Sequence, residues 1–414
     1  MPLVPATSGD GVGRGVGRPG RTDRATAPCP TREECPGRRD HDTREEEGMT
    51  VSGPGAVPAL ETGALALEGH RLFVRSGVPG AAGAVEAMLT PPCTSENPAA
   101  GEPDWTLHIH PDPAAARYDD AGDLVVHLPY GRCLAVRDTA GGVLRLAARY
   151  RPDAPWARIE VDGRARSTRL LVAPGDRVGV RWADWLGRVF FASRLLARGW
   201  RMLHASAVEL GGRALLFLAG SGGGKSTLAH RAVRELGARF LADDLVLVRP
   251  GRPVIGWPTR IALPAALDGV DPAAGRREQR PMDGWFRDRV LFTPAGHRRA
   301  LGVRTAGPTP PGALIVVEDP GGDGPVTAAP AGPETVTGTL RRAAAVDRQR
   351  VYVSDVLGLM GGPRLTDHTT TPPGACLTRG GLPVVRLAVP ARALPTAAIW
   401  DALAPFVPSV GGHR

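Results

Sequence analysis

The chain has one lysine, Lys225, and one asparagine, Asn97, in 414 residues, although lysine and arginine together number 51. Arginine carries the positive charge almost everywhere else. The single lysine therefore marks a position where a flexible ammonium is wanted and a planar guanidinium is a poor substitute. Aromatic residues are also scarce, at 5%. The five cysteines (Cys29, Cys35, Cys93, Cys133 and Cys376) are odd in number, widely spaced and without a C-x-x-C pair. That pattern supports neither a disulfide framework nor a zinc site. No apolar run approaches the roughly 18 residues of a membrane-spanning helix, and the first residues lack the apolar stretch of a secretory signal. The expectation is a cytoplasmic protein with no membrane partner. The formal net charge of +9 does not point to nucleic acid, because the arginines are scattered and no basic run is interleaved with aromatics. No nucleic-acid partner is expected.

What is present divides the chain. Residues 1–48 are rich in Gly, Pro, Arg and Glu, with few large apolar side chains, and are expected to be a disordered tail. Glu45-Glu46-Glu47-Gly48 runs into Met49, a second candidate start that would leave the tail untranslated. Residues 60–178 alternate short apolar runs with turn residues such as Asp119-Asp120-Ala121-Gly122 and Asp162-Gly163. This pattern predicts a β-rich N-terminal domain; substrate recognition is a separate hypothesis for its role. Over residues 181–198 the period becomes helical, with Trp185, Val189, Phe190, Leu195 and Leu196 on one face, and a linking helix is expected there. A second domain, residues 200–405, opens with a hairpin at Ser206–Leu210 and Arg213–Leu218, a helix at Lys225–Leu236 and a strand at Arg239–Ala242. Residues 264–312 read as irregular. Later strands are expected at Leu314–Val317, Arg350–Val353 and Pro383–Leu387, and later helices at Thr339–Ala345 and Thr396–Ala404.

The strongest chemical signal is Ala219-Gly220-Ser221-Gly222-Gly223-Gly224-Lys225-Ser226, followed by Thr227. It matches a P-loop, the phosphate-cradling loop of many ATP-binding enzymes. Glycines let successive N–H groups turn inward around phosphate oxygens, the following helix presents its positive end, and lysine adds charge. The Ser226 hydroxyl is placed to ligate Mg²⁺. An apolar strand precedes the loop and an amphipathic helix follows it, which is the required context. Asp243-Asp244 ends the next strand, where acidic residues reach a γ-phosphate. One of them can hold Mg²⁺, directly or through water, with Asp243 a candidate ligand, while the other accepts a proton from an incoming hydroxyl; which of Asp243 and Asp244 is the base stays open. His204 precedes the hairpin and on its own reads as a structural histidine. Arg289 and Arg260 are candidates to clamp phosphate or substrate. His108 and His110 alternate on one strand face, too little for a metal site.

The block from His204 to Asp244 resembles the catalytic core of the HPr kinase/phosphorylase family. A histidine before the loop (His204-Ala-Ser-Ala207), the glycine loop (Ala219–Ser226) and Ala242-Asp243-Asp244 follow in the family's order and near its spacings. It is most similar to HPr-kinase-related proteins of peptide-tailoring clusters, including kinases that phosphorylate a serine of lasso-peptide precursors. The resemblance is strong over residues 200–260. It implies an α/β P-loop kinase domain of the HPr kinase C-terminal type, preceded by the β-rich domain. It also implies ATP and Mg²⁺ as cofactors, and a peptide or small protein as substrate. Lys225 and Ser226 would bind phosphates and metal, Asp243 and Asp244 would share metal and base roles, and His204 would support the phosphate site. The family's glycine-rich second signature has no match here, so HPr itself, the reverse reaction and the family's hexamer are not implied. Whether the chain forms a homo-oligomer stays open. The competing readings are a small-molecule hydroxyl kinase and an ATP-gated peptide-delivery protein without catalysis.

Overall fold

A computed structural model describes residues 60–117, 124–128, 132–138, 140–151, 153–220, 222–282, 285–319, 324–344, 352, 355–360, 382–390, 396–407 and 410. The tail 1–48, the turn 119–122, Ser221 and, apart from Tyr352, the strand expected at Arg350–Val353 lie outside them.

The first half runs β1 (Glu61–Leu67), β2 (His70–Ser76), α1 (Ala81–Leu89), β3 (Thr94–Glu96), β4 (Trp105–Pro111), β5 (Leu124–Leu128), β6 (Arg132–Asp138), β7 (Val143–Arg149), β8 (Trp156–Asp162), β9 (Ser167–Val172) and α2 (Arg181–Ala197). The strands form one sheet in the order β3-β1-β2-β4-β9-β8-β7-β6-β5. Its two central pairings, β2–β4 and β4–β9, are parallel, and the remaining ones are antiparallel. Period-two alternation sets the faces. Along β4, Trp105, Leu107 and Ile109 are buried, while Thr106, His108 and His110 on the opposite face are half-exposed.

Helices α1 and α2 cover the apolar face. Gly187 lets them meet, since a Cβ there would come within 2.9 Å of Leu89 Cδ1. Trp182, Trp185, Phe190 and Phe191 of α2 are all fully buried. One continuous core runs from the sheet through α2 to Trp200, Leu247, Trp257 and Tyr352. The helix expected to link two domains is thus a core element shared by both halves.

The second half runs β10 (Arg201–Leu203), β11 (Ser206–Leu210), β12 (Arg213–Leu218), α3 (Lys225–Leu236), β13 (Arg239–Ala242), β14 (Leu245–Val248), β15 (Ile255–Trp257), β16 (Ile261–Pro264), β17 (Arg276–Met282), β18 (Trp285–Phe292), α4 (Pro294–Leu301), β19 (Pro311–Glu318), β20 (Thr327–Pro330), α5 (Pro333–Ala344), β21 (Val384–Ala388) and α6 (Thr396–Leu403). The strands make a six-stranded mixed sheet, β13-β11-β12-β19-β21-β20, and two small antiparallel sheets, β10-β14-β15 and β16-β18-β17. Along β12, Leu215 and Phe217 pack with α3 and α6, and Leu216 and Leu218 pack with α5 and the β10-β14-β15 sheet. A strand buried on both faces needs an unbroken apolar run, which Ala214–Leu218 supplies.

Residues 264–312 are not irregular: β17, β18 and α4 lie there. The β17 sequence, Arg276-Arg277-Glu278-Gln279-Arg280-Pro281, has no apolar period because its pairing with β18 rests on backbone hydrogen bonds and an Arg277–Asp288 ion pair. The start of α4 is fixed by Thr293, whose hydroxyl accepts from Gly296 N at 3.0 Å, with Pro294 in the first turn.

Inside the shared core, Arg188 of α2 is held by Asp184 Oδ1 at 2.5 Å and donates to the Tyr352 hydroxyl at 2.8 Å. Both charges are buried, so removing one strands the other. Arg188→Ala is expected to cost about 3–5 kcal/mol in urea unfolding, whereas Asp184→Leu with Arg188→Met is expected to recover most of that loss.

Candidate functional site

Two strand pairs place the site. β10 pairs with β14 (Leu203 opposite Val246) in a small sheet, and β11 pairs with β13 (Ala207 opposite Ala242) in the large one. Both chains therefore leave one sheet for the other at the same level. The residues in the two gaps, His204-Ala205 and Asp243-Asp244, must face each other. His204 Nε2 lies 3.1 Å from Asp244 Oδ1, although the two are 40 positions apart. The Ser206 hydroxyl donates to the carbonyl oxygen of Asp243, and His204 N donates to Ala343 O at 2.9 Å, so the backbone on both sides is tied down.

The glycine loop leaves β12 and enters α3. Gly222 and Gly224 have φ of 84° and 83°, the left-handed region that side chains resist. At Gly223 a Cβ would stand 2.8 Å from Ala219 Cβ, so the loop is too tight there for any side chain. Lys225 is buried, and its Nζ donates to the carbonyls of Ala219 and Gly220, both at 3.0 Å. The ammonium thus folds back over the loop's own backbone. Gly220 and Gly222 are exposed, Gly224 is half-buried, and Ser226 and Thr227 are half-buried in the first turn of α3.

Asp243 joins these parts. It is 5% exposed; its Oδ2 accepts from Ala262 N at 3.0 Å, while its Oδ1 is buried without a hydrogen-bond partner among the described residues. Burial, then the adjacent Asp244 carboxylate, raise its pKa above the usual carboxylate range. The nearby Ser226 hydroxyl, the Ala262 N–H and Arg289 pull it partly back. Arg289 reaches this environment through β18, where it stands opposite Pro264 of β16, the strand whose Ala262 holds Asp243. Lys225, Ser226, Asp243, Asp244, His204 and Arg289 are therefore gathered around one loop. Arg260 sits in the link between β15 and β16, and His108 and His110 lie on the nine-stranded sheet, outside this group.

The orphaned Oδ1 of Asp243 beside Ser226 suits a hard cation, which takes oxygen ligands. Among the described residues no group of three His, Cys, Asp or Glu side chains is arranged to hold a metal. An ion here would have to complete its shell with phosphate oxygens and water, as Mg²⁺ does at nucleotide sites. Three contacts had no sequence signal: the Ser206 bond to a carbonyl, the Ala262 N–H on Asp243, and the Ala343 carbonyl that holds His204. All three use a backbone atom on at least one side, which residue type does not encode.

A raised folded-state pKa means that the folded chain binds the Asp243 proton more tightly than the unfolded chain. Ionised Asp243 consequently destabilises the fold, increasingly as pH rises above the ordinary 3.8. Asp243→Asn, which keeps an acceptor for Ala262 N, is expected to raise Tm by about 2 °C or more at neutral pH. The gain should shrink as pH falls toward 3.8. A melting series from acid to neutral pH checks this, and a lower Tm for the variant at neutral pH would contradict it.

No known family profile matches the chain, and neither does any curated protein sequence.

Proposed function

We propose that the chain is an ATP-dependent kinase that transfers the γ-phosphoryl group to a serine hydroxyl of a peptide or small protein. The observation that carries this reading is the convergence of four side chains from distant positions. Ser226 stands beside Asp243, and Asp244 is hydrogen-bonded to His204, next to a glycine loop closed by the only lysine. Such a set has little use in a structural role, because it buries an ionisable carboxyl with an empty acceptor. In this reading the 200–405 region is a P-loop kinase domain working in the cytoplasm.

The loop N–H groups and the N-terminal end of α3 would hold the β- and γ-phosphates. Lys225 would exchange the carbonyls of Ala219 and Gly220 for phosphate oxygens. Ser226 and Asp243 would hold Mg²⁺, which when bound neutralises charge on the phosphates. Asp244 is the base: it takes the proton of the acceptor hydroxyl as that oxygen attacks the γ-phosphorus. The bond from γ-phosphorus to the bridging oxygen breaks, and ADP leaves with its electron pair. His204 fixes the Asp244 carboxylate for that proton. Arg289 lies near enough to Asp243 to add charge on the phosphate side. The choice of serine on a peptide rests on the resemblance of the His204–Asp244 block to HPr kinases and to kinases of lasso-peptide precursors.

The test is intact-mass analysis of serine-containing candidate peptides, taken from any precursor genes that neighbour this one, after incubation with ATP, Mg²⁺ and the full chain. Wild type is expected to add about 80 Da, one phosphoryl group, and Asp244→Asn to add none. His204→Gln should retain the reaction at a rate reduced by about 10-fold or more. An unchanged mass with wild-type protein would sink the peptide-kinase reading.

A further inference from the structure

The ladder between β11 and β13 ends where the two acidic residues begin. Its last pair is Ala207 opposite Ala242, and one step further in the same register sets Ser206 against Asp243. No backbone rung forms there. The chain at Asp243 is already leaving for β14, and the chain at Ser206 arrives from β10, so neither ladder pairs Asp243. A side chain spans the break: the Ser206 hydroxyl donates to the carbonyl oxygen of Asp243. It thereby carries the ladder one rung beyond the point where the backbones separate.

The residue type at 206 is informative. Ala205, Ser206 and Ala207 are all fully buried, and the two neighbours are small and apolar. A hydroxyl stands only at the position that meets the carbonyl. That contact ties Asp243 to β11, and β11 is the hairpin partner of β12, the strand that leads into the glycine loop. Ser206 therefore lies on the short route that fixes Asp243 against Ser226. The other end of Asp243 is held separately, by Ala262 N at 3.0 Å on its Oδ2. Its Oδ1, buried and without a hydrogen-bond partner among the described residues, is left for a ligand.

We infer that Ser206 is a positioning residue for the Mg²⁺ site formed by Ser226 and Asp243, an inference that rests on the kinase reading above. It touches neither the ion nor the nucleotide. Its hydroxyl holds the backbone of Asp243 in place, so that Asp243 and Ser226 offer oxygens to the same ion. Mg²⁺ demands near-ideal octahedral geometry, so a small drift of one ligand costs affinity. Groups that orient a metal ligand typically matter by about 10- to 100-fold in metal affinity.

Isothermal titration of ATP with and without Mg²⁺ tests this, read as the ratio of the two affinities for each protein. Ser206→Ala is expected to keep the metal-free affinity within about two-fold of wild type and to cut the Mg²⁺ ratio by about 10-fold. Ser206→Thr, which keeps the hydroxyl, is expected to retain most of the ratio. Ser206→Ala combined with Asp243→Asn should be no worse than Asp243→Asn alone, because both changes act on one ligand. Thr168→Val is the control. It removes another buried hydrogen bond, Trp105 Nε1 to Thr168 Oγ1 at 3.0 Å, and should leave the ratio at the wild-type value. Circular dichroism verifies folding; if Ser206→Ala does not fold, Ser206→Cys, with its weak donor, is read in its place and should lower the ratio too. A wild-type ratio in the alanine or cysteine variant, an equal fall in Ser206→Thr, or an equal fall in Thr168→Val would overturn the inference while leaving the kinase reading intact. Wild-type protein that binds no ATP would overturn both.

Discussion

The arrangement of the second half depends on two antiparallel pairs crossing together between sheets. β10 and β11 are separated by His204-Ala205, and β13 and β14 by Asp243-Asp244, so one short gap in each chain lies between two hydrogen-bonded ladders. Ladder registers are rigid, and a slip by one residue would turn every side chain to the wrong face. The contact of His204 with Asp244 is thus set by backbone pairing on both sides, and needs little from the two side chains themselves. The glycine loop lies next to this gap because β12, which leads into it, is the hairpin partner of β11.

The same crossing carries an energetic cost. Asp243 is buried beside another carboxylate, with one oxygen unmatched by any described donor. Desolvating a carboxylate without full compensation is expensive, and stability alone would favour a neutral residue there. A group kept under such conditions is characteristic of a functional site, where local destabilisation is offset by packing elsewhere. Here the offset is the pair of apolar layers on either side of β12 and the shared core around α2.

Much of the second half was legible from residue order. The hairpin at Ser206–Leu218, the helix Lys225–Leu236 and the strand Arg239–Ala242 follow from alternation, helical period and glycine stops, and their observed bounds agree with those expectations. Asp243 and Asp244 were marked by position after a strand, and the glycine loop by its spacing. The resemblance implied that His204 supports the phosphate site, but its pairing with Asp244 had no signal, since nothing local in the sequence states which strands will cross. The ladder of β17 with β18 gave no clear signal because β17 is rich in charged residues and lacks an apolar alternation, and α1 because a nine-residue helix of small residues gives a weak period. The charged row on the nine-stranded sheet had no sequence signal either. Arg75, Arg145, Arg158 and Arg169 are scattered in the chain and become neighbours only through strand order.

Isothermal titration of ATP with Mg²⁺ into wild-type protein and Lys225→Ala tests the central claim most directly, that the loop at residues 219–226 holds nucleotide phosphates. The account predicts one saturable site in the wild type and affinity weakened by about 10-fold or more in the variant, with the variant's fold retained. Equal affinity in both proteins, or no heat of binding in the wild type, would contradict it.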